Sequence, residues 1–242
     1  VREEIRQTYQ LAPNARVELA GLNGPVNIET SETSAAEVYI ERTASSKEAL
    51  DRRKVTIEAD ANSLRIRGEK AEGSFLSRFF GSSGSERVTL KLPRQISLTA
   101  KGVNGAFVVG DINGAVEVSG INGRVQIANA VGRATFKGIN GNMVVGLKQI
   151  GQDGVSLNGI NGNIELRFGA DVNADFDARG MNGQVVTDLP NVSIDKSKRG
   201  NYWGRIGNGG NGITAKGING NIRLTRGAEA AATADVAEAS KN

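Results

Sequence analysis

The chain has 242 residues, with 30 Lys/Arg against 26 Asp/Glu for a formal net charge of +4. It lacks both cysteine and histidine, which excludes disulfides, thiolate and imidazole metal sites, Cys nucleophiles and every triad that needs a histidine base. Glycine is abundant (32) and proline scarce (4), so the glycines serve repeated turns in a folded chain, not a Pro-rich linker or a collagen-like array.

The chain opens at Val1, not Met, which fits removal of an upstream segment such as a signal peptide. Alternating apolar and polar residues then predict strands over Ala15–Leu19, Val26–Thr30, Glu37–Arg42, Val55–Ala59, Ser63–Arg67, Val88–Leu92 and Ile96–Lys101. One short helix is expected over Lys47–Arg53, with Ser46 as its N-cap. Between the strands, Gly73–Gly81 gathers Phe75, Leu76, Phe79 and Phe80. Such a cluster is either a plug over the end of a core or a contact for a partner or lipid surface.

From Val103 onwards a repeat takes over. An apolar residue followed by Asn-Gly ends in Asn at 23, 104, 113, 122, 140, 161, 182 and 219. Steps of nine lead from Asn104 to Asn122, steps of 21 from Asn140 to Asn182, and a step of 37 reaches Asn219. After each turn the side chains alternate, as Val116 and Val118 do about Glu117. Asn-Gly between strands is also a strong hairpin signal, so a meander is the rival arrangement. The constant phase of the turn against the apolar residues favours an all-β, single-chain parallel β-solenoid (β-helix) with rungs of about 18–21 residues. In that arrangement residues 1–102 form wider opening rungs or a cap, 103–225 the regular body, and the Ala-rich stretch 226–242 a disordered tail.

An insertion at 190–212 interrupts the repeat. It holds Lys196, Lys198, Arg199, Tyr202, Trp203 and Arg205, and Trp203 is the single tryptophan. Aromatic and cationic side chains on a long loop suit glycan, phosphate or protein contacts. The alternative is a Trp folded back over the flank of the body. Together with Phe79 and Phe80, these residues are the candidate ligand or partner contacts. Asp171, Asn173, Asp175 and Asp177 resemble the start of a calcium loop, but Phe176 occupies the glycine place and Asn182 the final Glu place. They read better as the solvent face of a strand, with Val172, Ala174 and Phe176 inward. No catalytic, cofactor or metal residues are expected. The halves carry balanced charge, so no nucleic-acid partner is expected, and no apolar run approaches the ~18 residues of a membrane span.

The order of segments carries a resemblance. Strands around LAPNARVELAGLNGPVNIET and EVYIERTASS lead to KEALDRR, then VTIEADANSLRIRGE, a variable loop, VTLKLPRQISLTAKGVNGAFVVGD and repeating INGN-type units. This order resembles the bacterial β-strand-repeat family of putative adhesins and, more distantly, the head domains of autotransporter adhesins. The resemblance spans roughly residues 8–225. It implies an exported protein, periplasmic or at the cell surface, without cofactor and with an unknown protein or glycan as partner. It supplies no site residues. The expected function is therefore a non-enzymatic binding or scaffold module of the cell envelope. The alternatives are a glycan-active β-helix enzyme and an envelope-stress sensing component.

Overall fold

The computed structural model describes residues 1–70, 84–190 and 192–227. In chain order the elements are β1 (Arg2–Gln10), β2 (Ala15–Ala20), β3 (Val26–Ser31), β4 (Ala35–Ala44), α1 (Lys47–Asp51), β5 (Arg53–Asp60), β6 (Ser63–Lys70), β7 (Gly84–Pro93), β8 (Ile96–Lys101) and β9 (Phe107–Ile112). They continue as β10 (Val116–Asn122), β11 (Val125–Asn140), β12 (Met143–Asn161), β13 (Ile164–Phe168), β14 (Ala174–Arg179) and β15 (Val185–Thr187). The last four are β16 (Val192–Lys198), β17 (Asn201–Ile206), β18 (Asn211–Asn219) and β19 (Ile222–Arg226). The Gly73–Gly81 cluster, with Phe79 and Phe80, lies outside the described residues, as does most of the Ala-rich stretch.

The expected parallel β-solenoid is overturned by the strand pairing. All the strands join one 19-stranded sheet. Parallel ladders run through its middle, but β1–β4, β4–β7, β5–β6, β14–β17 and β16–β17 are antiparallel. The result is a mixed, nearly closed, barrel-like sheet. In the N-terminal part β1, β4 and β5 pair only antiparallel, while β2 and β3 lie in parallel ladders with β6, β8, β7 and β9, so this part is a mixed sheet and not a set of wider opening rungs. The reason lies in local turn chemistry. At the β5–β6 reversal, Asp60 accepts hydrogen bonds from the Asn62 amide and the Ser63 hydroxyl, both at 2.7 Å, which closes a tight hairpin. A side-chain period of two is the same in parallel and antiparallel ladders, so alternation could not separate them.

Two rows of strands face each other across one apolar interior. One runs β6-β2-β8-β10-β11-β12-β18-β14, the other β7-β3-β9-β11-β12-β13-β19. The long strands β11 and β12 belong to both rows and turn the corner between them. Every second residue points inward: Val116, Ala134, Val155 and Ile213 follow one another across the first row, and all are buried. Phe107, Phe136 and Phe168 are the largest fully buried side chains. Burying each aliphatic residue contributes roughly 1.5–3 kcal/mol, and this drives closure.

Asn-Gly turns line one corner in the spatial order 23, 104, 122, 140, 161, 219, 182. The side chain of Asn104 donates to that of Asn23 at 2.8 Å, Asn122 to Asn104 at 3.1 Å, Asn161 to Asn140 at 2.8 Å and Asn182 to Asn219 at 2.9 Å. The glycines beside them have no room for a side chain. Gly141 has φ +150°, and a Cβ there would stand 2.3 Å from the Gly123 carbonyl oxygen. Asn113 belongs elsewhere: its amide bonds to the Arg94 carbonyl at the opposite corner. The nine-residue step therefore alternates between two corners.

The C-terminal strands β18 and β19 insert between segments that precede them. β18 pairs with β12 and β14, and β19 with β13 and β15, all in parallel. At the other end, α1 begins at Ser46, whose hydroxyl accepts from the Ala49 amide at 3.2 Å. It ends at Asp51, two residues short of the expected boundary. Beneath it Glu86, only 2% exposed, accepts from the Asn23 amide at 2.7 Å and from Arg53 Nε at 3.1 Å. Arg42 is also buried; it donates to Glu3 and to the Leu50 and Arg53 carbonyls.

Candidate functional site

The segment 190–212, expected as a loop, is a β-hairpin. β17 docks antiparallel on β14, with Trp203 opposite Asp177 and Arg205 opposite Asp175. β16 pairs only with β17 and forms an edge of the sheet. Alternation then divides the candidate residues between two faces. Tyr202 and Ile206 point inward and are buried, and the Tyr202 hydroxyl donates to the Gly183 carbonyl at 3.0 Å. The Lys196 ammonium sits 5.6 Å from the Tyr202 ring centroid. Tyr202 therefore closes the end of the core and is not an accessible contact.

Trp203 and Arg205 point outward. Trp203 is 54% exposed, one of three exposed large apolar side chains among the described residues, with Val1 and Val186. Arg199 is exposed at the hairpin turn, and Lys198 closes β16 with its backbone opposite Asn201. The structure thus brings Trp203 and Arg205 together on one surface and separates Lys196 and Tyr202 from them.

Sequence reasoning missed the frame around the indole. Trp203 has Asp177 across one ladder and Asp195 across the other. Arg179 forks onto Asp177, with Nε to Oδ1 at 3.0 Å and Nη2 to Oδ2 at 2.7 Å. These bonds raise the Arg179 pKa above its ordinary value. Arg205 Nε lies 3.5 Å from Asp175 Oδ1. The surface forms an open depression of about 630 Å³, lined by Trp203, Asp175, Asp177, Arg179, Asn201 and Arg205. The sequence singles out Trp203 and Arg205 for one reason and Asp175 and Asp177 for another, and the antiparallel docking of β17 on β14 is what assembles them.

Of the stretch 171–177, expected as one strand, only Ala174–Asp177 belong to β14, and Asp171–Asn173 form the turn and approach before it. Ala174 and Phe176 are buried, Val172 is half-buried, and Asp175 and Asp177 face solvent. Asn173 Oδ1 accepts from the Asn208 amide at 2.8 Å, which ties the strand to the segment after β17. Among the described residues, no group of three or more carboxylates is placed to hold a metal ion. No helix among them is long and apolar enough to cross a membrane.

No family model matches the chain, and no curated protein matches it. Among solved structures it is similar to a putative cell adhesion protein from Clostridium sporogenes, at 14% identity over 93% of this chain and 100% of that one, with TM-score 0.48. It is similar to a putative adhesin from Bacteroides fragilis at 11% identity, covering 92% and 97%, with TM-score 0.38. A putative lipid binding protein from Parabacteroides distasonis follows at 10%, covering 91% and 96%, with TM-score 0.22. Likeness at this level carries no argument about function.

Proposed function

We propose that the protein is a non-enzymatic binding module of the bacterial cell envelope, and that it engages its partner through the outer face centred on Trp203. The observation that carries this reading is the indole itself. It is the only tryptophan of the chain, stands 54% exposed on a strand held by ladders on both sides, and contributes little to the core. A rigid exposed aromatic framed by polar side chains is an economical contact, since little freedom is lost on binding. Asp175 and Asp177 each face an arginine, Arg205 at 3.5 Å and Arg179 at 2.7 Å, so the rim of the indole is a set of paired hydrogen-bonding groups. The envelope location rests on the family resemblance alone.

The test is an array of immobilised oligosaccharides and extracellular-matrix proteins probed with wild type and Trp203→Ala. The expected result is a ligand whose affinity falls about 30-fold or more in the variant, while the melting temperature stays put. A bound ligand indifferent to Trp203→Ala overturns the assignment of this face.

A further inference from the structure

A second feature of the outer surface adjoins the Trp203 face at Arg179 and goes beyond that reading. Each corner motif has the form X-Gly-apolar-Asn-Gly, and after Ala20 in the first copy its first position is Lys101, Ser119, Lys137, Asn158, Arg179 and Lys216 in successive copies. The registers Lys101↔Ser119, Ser119↔Lys137, Lys137↔Asn158, Asn158↔Lys216 and Lys216↔Arg179 place these residues in one row across β8, β10, β11, β12, β18 and β14. Along the chain the lysines look scattered. In space, because β18 inserts beside β12, lysine alternates with a small polar residue. Neighbouring strands are ~4.8 Å apart, so Lys101, Lys137 and Lys216 recur about every 9.6 Å.

All three lysines are exposed. Among the described residues the lysine found in an ion pair is Lys91, with Glu37 at 3.6 Å, and it lies elsewhere. On one side of the row runs the column of corner glycines, which leaves the ammonium groups uncovered. On the other side runs a row of hydroxyls from Thr214, Ser156, Thr135 and Thr99. Its one carboxylate between Asp177 and Glu18 is Glu117, and those two flanking acids are already held by arginines.

We propose that this row binds a linear anionic polysaccharide that carries one acidic group per disaccharide and lies across the strands. The interval between lysines matches one disaccharide of an extended sugar chain, and the hydroxyl row faces the neutral sugar between two acids. A nucleic acid is a poorer fit: duplex DNA carries a charge every ~3.4 Å along each strand, so most of its phosphates would fall over Ser119, Asn158 or open surface.

Hyaluronan oligosaccharides, with one carboxylate per disaccharide, are titrated calorimetrically into the full chain at low salt, with neutral dextran and a single-stranded oligonucleotide as comparisons. The expected result is binding of hyaluronan and not dextran, weakened by added salt. Each of Lys101→Gln, Lys137→Gln and Lys216→Gln lowers affinity about two- to fivefold, and the losses multiply in the triple variant. Lys54→Gln, away from the row, changes nothing, and Glu117→Gln tightens binding. Absence of hyaluronan binding, or binding that survives the triple substitution, overturns the row as a polyanion site and leaves the Trp203 face to its own assay. Preference for the oligonucleotide overturns the saccharide assignment.

Discussion

Glycine is spent here where backbones touch. Gly141 combines φ +150° with a carbonyl oxygen 2.3 Å from any added Cβ, whereas Gly212 has nothing within 4 Å of that position. Gly141→Ala is expected to cost about 2–3 kcal/mol, and Gly212→Ala to stay within about 0.5 kcal/mol, both read from urea midpoints. Glu86 is the opposite case, a charge held by contacts. Replacing it with Leu strands the largely buried Arg53 guanidinium and the Asn23 amide, and chemical denaturation should show a loss of about 3–5 kcal/mol. Glu165 gives a pH dependence. Its carboxyl is held below the ordinary range by the hydrogen bond from Arg167, which outweighs the opposing effect of burial, with smaller help from the Arg167 charge, the Thr225 hydroxyl and the Arg223 charge. A depressed carboxylate stabilises the fold above its unfolded pKa, and that contribution is lost as pH falls through the folded value. The melting-temperature gap between wild type and Glu165→Gln should therefore narrow as pH drops from neutral to below ~4.

At the scale of elements, the hairpin β16–β17 explains why the surroundings of Trp203 were only half legible. Alternation already implied that Tyr202 and Trp203 point opposite ways once the segment is a strand. Read as a Gly/Asn-rich insertion, it showed no strand period long enough to reveal that. The helix was legible because Ser46 and its cap bond are local, and the Asn-Gly corners were legible because each carries its own turn chemistry. The antiparallel ladders of β1, β4 and β5 were hidden, since partner choice is a property of tertiary packing. β16 also has to protect an open edge. It carries exposed Asp195 on the face of Trp203 and exposed Lys196 on the face of Tyr202, and charges on both faces deter a second strand from pairing. The double substitution Asp195→Val with Lys196→Val is expected to make the protein self-associate, measured by sedimentation velocity, with little change in its circular dichroism.

For the whole molecule, the order of the Asn-Gly corners in space departs from their order in sequence at one place. Asn182 follows Asn161 along the chain, yet Asn219 stands between them. The repeats could not disclose this, because the segments ending at Asn161, Asn182 and Asn219 carry the same apolar-Asn-Gly pattern and can pair in either order. One consequence can be tested. Removing residues 211–227 takes away the strands on which β14 and β15 lean, so hydrogen exchange should lose protection over residues 174–206 as well. Protection over residues 96–145, far from the cut, should persist.

The amide row at the corner has a bearing on chemical ageing. Asn followed by Gly is the pairing most prone to lose its side-chain ammonia, through attack by the glycine nitrogen on the Asn side chain. In this fold the nitrogens of Gly123, Gly141, Gly162 and Gly220 donate to the backbone carbonyls of Asn140, Asn161, Asn219 and Asn182. The nucleophile is thus engaged with the neighbouring strand and cannot swing onto its own side chain. Long storage should leave these sites intact until the sheet opens, so deamidation mapped by mass spectrometry becomes a slow clock of how often each corner comes apart.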